Sequence, residues 1–277
     1  MAALKISSEV HDNRAEIDDL AIFWRSVAAP GTPIVYVHGV PNSSHMWLGF
    51  LPRTGGIALD LPGFGRSAKR GDFDHSIAGY DAFLEAFLEH LGIDRLALVM
   101  HDWGALALVF AQRFPERIER MVLINPVPLL PGYRWHWVAR IWRRRLLGEL
   151  AMGAITKPAL RLISRQANVA PGPLPADFID DVHGAFDQGT QRAVLGLYRS
   201  ADPDVLAAAG ERLAAIDAPA LIVWGERDPY IPPKFAGEYA ARLPHAEVHR
   251  VPGAGHWPWL DDPGVIDEVC AYVTAPR

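Results

Sequence analysis

The sequence has only one cysteine, Cys270, among its 277 residues. No internal disulfide can form, and a zinc site built from four cysteines is excluded. A surplus of positive charge is also lacking. The 27 Lys and Arg side chains against 32 Asp and Glu leave a net charge of −5, so there is no overall basic field to hold a nucleic-acid backbone or an anionic membrane. No apolar run approaches the ~20 residues needed to span a bilayer. Residues Met1 to Arg14 carry acidic and polar side chains where a secretory signal would have a basic stretch and then an apolar one, so a cytoplasmic location is expected. Repeats at a period of ~20–50 residues and low-complexity tracts are missing too, which excludes solenoids and disordered tails. Eleven histidines are present, but none is paired at i and i+4 on a plausible helix beside a carboxylate, so neither a metal nor another cofactor is expected.

What the chain does have is enough apolar content to build a sizeable core, 50% hydrophobic residues, arranged as short apolar runs that alternate with helical patterns. Ile34–Val37 is β-branched and aromatic, bounded by Pro33 and Gly39, and reads as a buried strand; Ile57–Leu59 is a second. Tyr80, Phe83, Leu84, Phe87, Leu88 and Leu91 then recur on one helical face, which Gly92 closes. Leu96–Met100, Met121–Ile124, Ala220–Trp224 and Glu247–Val251 read as further strands, and Gly104–Phe114, Pro233–Leu243 and Pro263–Val273 as helices. Such alternation implies a mostly parallel sheet covered on both faces, an α/β fold, with Leu20–Val27 as an antiparallel edge.

Residues 126–210 break the pattern. They hold no convincing strand, only helical periodicity and breaks such as Pro171-Gly172-Pro173. Trp135, Val138, Ala139, Trp142 and Leu146 make an amphipathic helix, and seven arginines lie between Arg134 and Arg165. These arginines read first as a solvated helix face, and alternatively as a local site for an anionic partner. Helices inserted here form a cap over the strand ends, which divides the chain into a core of 1–125 and 211–277 and a cap of 126–210, inserted after strand 6.

Four motifs sit just past strand ends, where open α/β sheets bind ligands. Met100-His101-Asp102-Trp103-Gly104 is a strand-to-helix turn that lifts Asp102 above the sheet and aims the following backbone N–H groups at the same point. His38-Gly39-Val40-Pro41 supplies a second N–H, that of Val40, beside that of Trp103, and together they form an oxyanion hole. Gly225-Glu226-Arg227-Asp228 and Gly253-Ala254-Gly255-His256 deliver a carboxylate and then a histidine. Taken singly, Asp102 is as readily a helix cap, Asp228 a turn residue and His256 a loop residue. Their order, acid nucleophile then acid then histidine, argues against coincidence.

With these motifs, and with Asp60-Leu61-Pro62-Gly63-Phe64-Gly65-Arg66-Ser67 and Pro115-Glu116-Arg117, the chain resembles an α/β-hydrolase with a helical cap. Specifically, it is similar to the branch with an aspartate nucleophile, the epoxide hydrolases and haloalkane dehalogenases. That resemblance implies an eight-stranded, mostly parallel sheet and an Asp-His-Asp triad in which Asp102 attacks, His256 is the base and Asp228 orients it. An aspartate suits a saturated carbon: a serine would form an inert ether there, whereas a carboxylate forms an ester that water can cleave. His256 then acts mainly in that second step, by taking a proton from water.

The resemblance also implies how the leaving group is handled. Family epoxide hydrolases protonate an alkoxide with cap tyrosines. Tyr198, thirty residues before Asp228, stands where one of them falls, and Tyr133, with His136 near it, is the candidate for the second. Dehalogenases hold halide with the indole beside the nucleophile, here Trp103, and either an asparagine or a second cap tryptophan. Val40 occupies the asparagine position, which leaves Trp135, Trp137 or Trp142 as substitutes, although Met100, Ser43-Ser44 and Trp47 look dehalogenase-like. The missing donor favours an epoxide hydrolase, with a haloalkane dehalogenase as the alternative. A silent binding module and a cofactor-free oxygenase on the same scaffold are the remaining readings. The expected pocket is apolar and aromatic, lined by His38, Pro41, Trp103 and Trp257, and takes a small apolar epoxide or haloalkane together with water. Neither a nucleic acid nor a membrane is expected as a partner, and the chain is expected to be a monomer or homodimer.

Overall fold

The computed structural model describes residues 9–168 and 174–275; Pro171-Gly172-Pro173 lies outside them. Eight strands form one sheet in the order β1-β2-β4-β3-β5-β6-β7-β8. They are β1 (His11–Ile17), β2 (Leu20–Val27), β3 (Ile34–Val37), β4 (Gly56–Leu59), β5 (Leu96–His101), β6 (Ile118–Ile124), β7 (Ala220–Gly225) and β8 (Ala246–Val251). From β4 to β8 every pairing is parallel. β3, β5 and β7 are buried along their whole length, as expected for strands covered by helices on both faces.

The structure corrects the expected edge. β2 is antiparallel to its neighbours but sits one place inside the sheet, and β1 is the edge strand. β1, with the sequence HDNRAEI, is largely exposed and shows no apolar run. It forms because Asp18 and Asp19, at φ 49° and 62°, make the tight turn that returns the chain into β2. The helix expected from Gly104 also differs: a 3₁₀ segment, Asp102–Leu106, precedes the α-helix Ala107–Arg113. Elsewhere the expected helices are present, with Ile77–His90 ended by Gly92 at φ +64°.

Between β6 and β7 the described residues contain helices and no strand: Trp137–Trp142, Leu147–Gly153, Lys157–Ser164, Ala176–Ala185, Gln188–Ser200 and Pro203–Ala209. The first of these is shorter than the periodicity suggests. Trp135 precedes it, and Leu146 lies beyond its end at φ +67°, 77% exposed. The segment is tied to the sheet by Lys69 to Asp187 at 2.9 Å, Ser43 Oγ to Asp181 at 2.6 Å, and the His256 N–H to the Ala167 carbonyl at 2.7 Å. Among the described residues no helix is long and apolar enough to cross a membrane.

Candidate active site

The C-terminal ends of β3, β5, β6, β7 and β8 converge on one point. At the end of β5, Asp102 has φ +51°, a left-handed conformation that a non-glycine residue adopts at a cost and that is common where function requires it. The backbone around it is pressed tight. A Cβ on Gly39 would stand 2.4 Å from Asp102 Cβ, and one on Gly104 would stand 2.2 Å from the Val37 carbonyl oxygen. Only glycine lets the two turns approach this closely.

The Asp102 carboxylate is buried and accepts a hydrogen bond from the Val40 N–H at 2.9 Å. Burial pushes its pKa up to about 6, against the opposing pull of the His256 charge and the Val40 and Trp103 N–H groups. His256 Nε2 stands 3.7 Å from Asp102 Oδ2, and His256 Nδ1 donates to Asp228 Oδ2 at 2.8 Å. Burial pulls the imidazole down, but the Asp228 charge and hydrogen bond, with the Asp102 charge, outweigh it and hold His256 above its ordinary value. Asp228 is itself saturated with donors. Its Oδ1 accepts from the Tyr230 and Ile231 N–H groups, and Oδ2 also accepts from Asn125 Nδ2 at 2.6 Å. A buried carboxylate surrounded by donors in this way fixes the tautomer and direction of its histidine.

An apolar cavity of about 200 Å³ opens beside Asp102 and His256. Val40, Pro41, Tyr133, His136, Tyr198 and Trp257 are on its wall. Two expected pocket residues are not. His38 is fully buried behind the wall, where its Nδ1 donates to the Gly39 carbonyl and its Nε2 accepts from the Leu61 N–H at 3.0 Å; it holds the turn and does not meet the cavity. Trp103 lies one layer deeper, its ring covered by Trp135 at 5.4 Å and Tyr198 at 5.1 Å. Trp135, offered as a second indole donor, has its N–H committed to the Ala201 carbonyl at 3.0 Å. Trp137 and Trp142 do line the cavity.

Burial, reinforced by the nearby Asp102 charge, keeps the Tyr198 and Tyr133 phenols well above their ordinary pKa, so both stay protonated. The Tyr133 hydroxyl is buried without a hydrogen-bond partner. His136 is pushed down to about 4, first by burial, and caps the helix that follows it through Nδ1.

Two residues of this site were not anticipated. Asn125, at φ +40°, has its amide direction set by the Gly225 N–H on Oδ1, which turns Nδ2 onto Asp228. Asn42 lies on the cavity wall, buried, with both amide atoms unpartnered. A polar side chain two residues past Val40 was its only trace in the sequence. No group of three or more His, Cys, Asp or Glu side chains among the described residues is placed to hold a metal ion.

An eight-stranded sheet with an acid, a histidine and a second acid at its strand ends defines the α/β-hydrolase class. The alpha/beta hydrolase fold family matches residues 32–263, and the chain belongs to it. Within that family it is a hydrolase related to haloalkane dehalogenases. A haloalkane dehalogenase of Bradyrhizobium diazoefficiens is 30% identical, over 89% of this chain and 88% of its own length. The crystal structure of haloalkane dehalogenase DbeA from Bradyrhizobium elkani USDA94 superposes with a TM-score of 0.81 at 24% identity, over 96% of this chain and 98% of that one. The epoxide hydrolase CorEH superposes with a TM-score of 0.82 at 19% identity, over 95% and 98%. At these identities the two structures speak for the fold alone.

Proposed function

We propose that this hydrolase opens epoxides to vicinal diols through a covalent ester on Asp102, with residues 126–210 as the cap and 1–125 with 211–277 as the core. The Asp102 carboxylate attacks a ring carbon and the C–O bond breaks. The electron pair goes to the departing oxygen, which takes a proton from Tyr198, with Tyr133 as a second donor. His256, held by Asp228, then removes a proton from water, and the resulting hydroxide attacks the ester carbonyl. The tetrahedral oxyanion rests on the Val40 and Trp103 N–H groups; as it collapses, the diol oxygen leaves with the remaining water proton, Asp102 returns to its carboxylate, and the proton on His256 goes back to the Tyr198 phenolate. The 3.7 Å gap between His256 and Asp102 suits this sequence, since the imidazole is not locked to the nucleophile and stays free for water.

One observation carries the choice of epoxide: two protonated phenols, Tyr198 and Tyr133, share the cavity wall with Asp102. Asn42 favours a second reading. Its unpartnered amide is an N–H donor on the same wall, replacing the side chain that Val40 lacks, and haloalkane dehalogenation by the same triad needs such a donor for halide. Parallel assays with styrene oxide and 1-bromobutane separate the two. Diol without bromide is the expected result, and bromide release reverses the assignment. His256→Gln is expected to trap a substrate-sized adduct on Asp102 in intact-protein mass spectra; unmodified protein after incubation with a turned-over substrate counts against the covalent route.

A further inference from the structure

The net charge of −5 conceals an uneven distribution. Residues 131–168 carry eight basic side chains against Glu149 alone, a local +7, so the remainder of the chain carries −12. Within this segment Arg143 is paired with Asp202, Lys157 with Asp180, and Glu149 with Arg199. What remains is Arg134, Arg140, Arg144, Arg145, Arg161 and Arg165, all exposed.

The same segment exposes large apolar side chains: Leu146 at 77%, Leu150 at 72%, Leu162 at 66% and Trp137 at 51%. Most large exposed apolar side chains of the described residues are in this one segment, a concentration that marks an interaction surface. The opposite sides of these helices line the cavity, and Trp137 and Ile163 belong to both, exposed to solvent and on the cavity wall. At Trp137 and Ile163 the cavity wall is therefore continuous with this arginine- and leucine-rich surface.

From these observations we infer that helices Trp137–Trp142, Leu147–Gly153 and Lys157–Ser164 form a docking surface for an anionic lipid bilayer, which places the cavity mouth at the membrane interface. Leucine and tryptophan side chains enter the headgroup–acyl boundary while arginines engage lipid phosphates, the pattern of an interfacial helix with a basic polar face. A second copy of the chain is a poor occupant, because a two-fold contact would set six arginines against six. A nucleic acid would leave the leucines without partners. The docking surface delivers apolar compounds dissolved in lipid to the cavity, and it holds whether these are epoxides or haloalkanes.

The test is co-sedimentation of the full-length protein with vesicles of phosphatidylcholine alone and with 30 mol% phosphatidylglycerol, at low and high salt. Binding to the anionic vesicles, weakened by salt, is expected. Each basic side chain near such a surface contributes about fivefold in partition, so Arg144→Gln with Arg145→Gln is expected to weaken binding about 30-fold. Leu150→Glu is expected to weaken it as well. Neither variant touches the cavity wall, so turnover of a soluble substrate and the melting temperature serve as controls for folding. No binding to anionic vesicles at low salt overturns the proposal, as does equal binding to neutral vesicles or binding indifferent to these substitutions. A salt-sensitive dimer in sedimentation velocity, disrupted by the same substitutions, would assign the surface to a second copy instead.

Discussion

In the proposed mechanism Asp102 meets two opposed demands, since it must ionise in order to attack and yet sits where burial favours its neutral form. With its pKa raised to about 6 and both phenols protonated far into the alkaline range, the rate of ester formation is expected to fall about tenfold per pH unit below about 6 and to stay level to pH 9. Single-turnover measurements check this, and an alkaline fall beginning near pH 7 would contradict it. In the proposed route Asn125 acts through Asp228 and His256, in the second step alone. Asn125→Gly keeps the positive φ but removes one donor from Asp228 Oδ2, so the histidine's partner is held less firmly, by the Tyr230 and Ile231 N–H groups alone. Ester hydrolysis is expected to slow about 10- to 100-fold, in the range seen when an outer support of a catalytic group is lost, while ester formation changes little. Equal loss in both steps would refute this division. Asp102, Asp228 and His256 were legible in the sequence because each follows its own strand within a few residues, so local turn chemistry places it. Asn125 was not, because its role depends on the register of β6 beside β7, where Ile124 faces Val223. His38 and Trp103 were misplaced because the sequence says which residues lie near the nucleophile but not in which layer they lie.

The elements that position the site are short strands joined by turns with no spare space. Gly104→Ala would put a methyl group 2.2 Å from the Val37 carbonyl oxygen, which is backbone and cannot step aside. A loss of about 3 kcal/mol is expected, the upper end of ordinary overpacking. Gly184, inside the helix Ala176–Ala185, has nothing within 4 Å of an added Cβ, and Gly184→Ala is expected to stabilise by about 0.5–1 kcal/mol. Denaturant midpoints of the two variants test the contrast; similar values would mean that the turn at Gly104 relaxes freely. The same distinction explains which elements could be read beforehand. Buried parallel strands announce themselves as apolar runs, whereas β1 is polar and exists through its hairpin partner. The helix at Trp137 ends early because Arg199, on Gln188–Ser200, takes the Trp142 and Arg144 carbonyls and the chain then turns left-handed at Leu146, a tertiary outcome that the apolar spacing does not carry.

At the scale of the whole molecule, the site is held at the expense of stability. The folded chain protonates Asp102 near pH 6, against an ordinary value of 3.8. Between these values the folded state keeps a proton that the unfolded state has released, so stability falls as pH rises through that window. Above pH 6 the ionised, buried group costs on the order of 3 kcal/mol, because each pH unit across the window contributes ~1.4 kcal/mol. Asp102→Asn removes the charge, keeps an oxygen for the Val40 N–H and tolerates the positive φ. It is expected to abolish turnover while raising the melting temperature by about 6–12 °C at pH 7.5, given roughly 2–4 °C per kcal/mol for a chain of this size. At pH 4 the gain is expected to vanish, because the native carboxyl is then already neutral. Calorimetry at the two pH values is decisive: an unchanged or lower melting temperature at pH 7.5 would mean that Asp102 is not a strained, charged centre within the fold, and a gain that persists at pH 4 would trace to backbone relief at φ +51° instead of to charge.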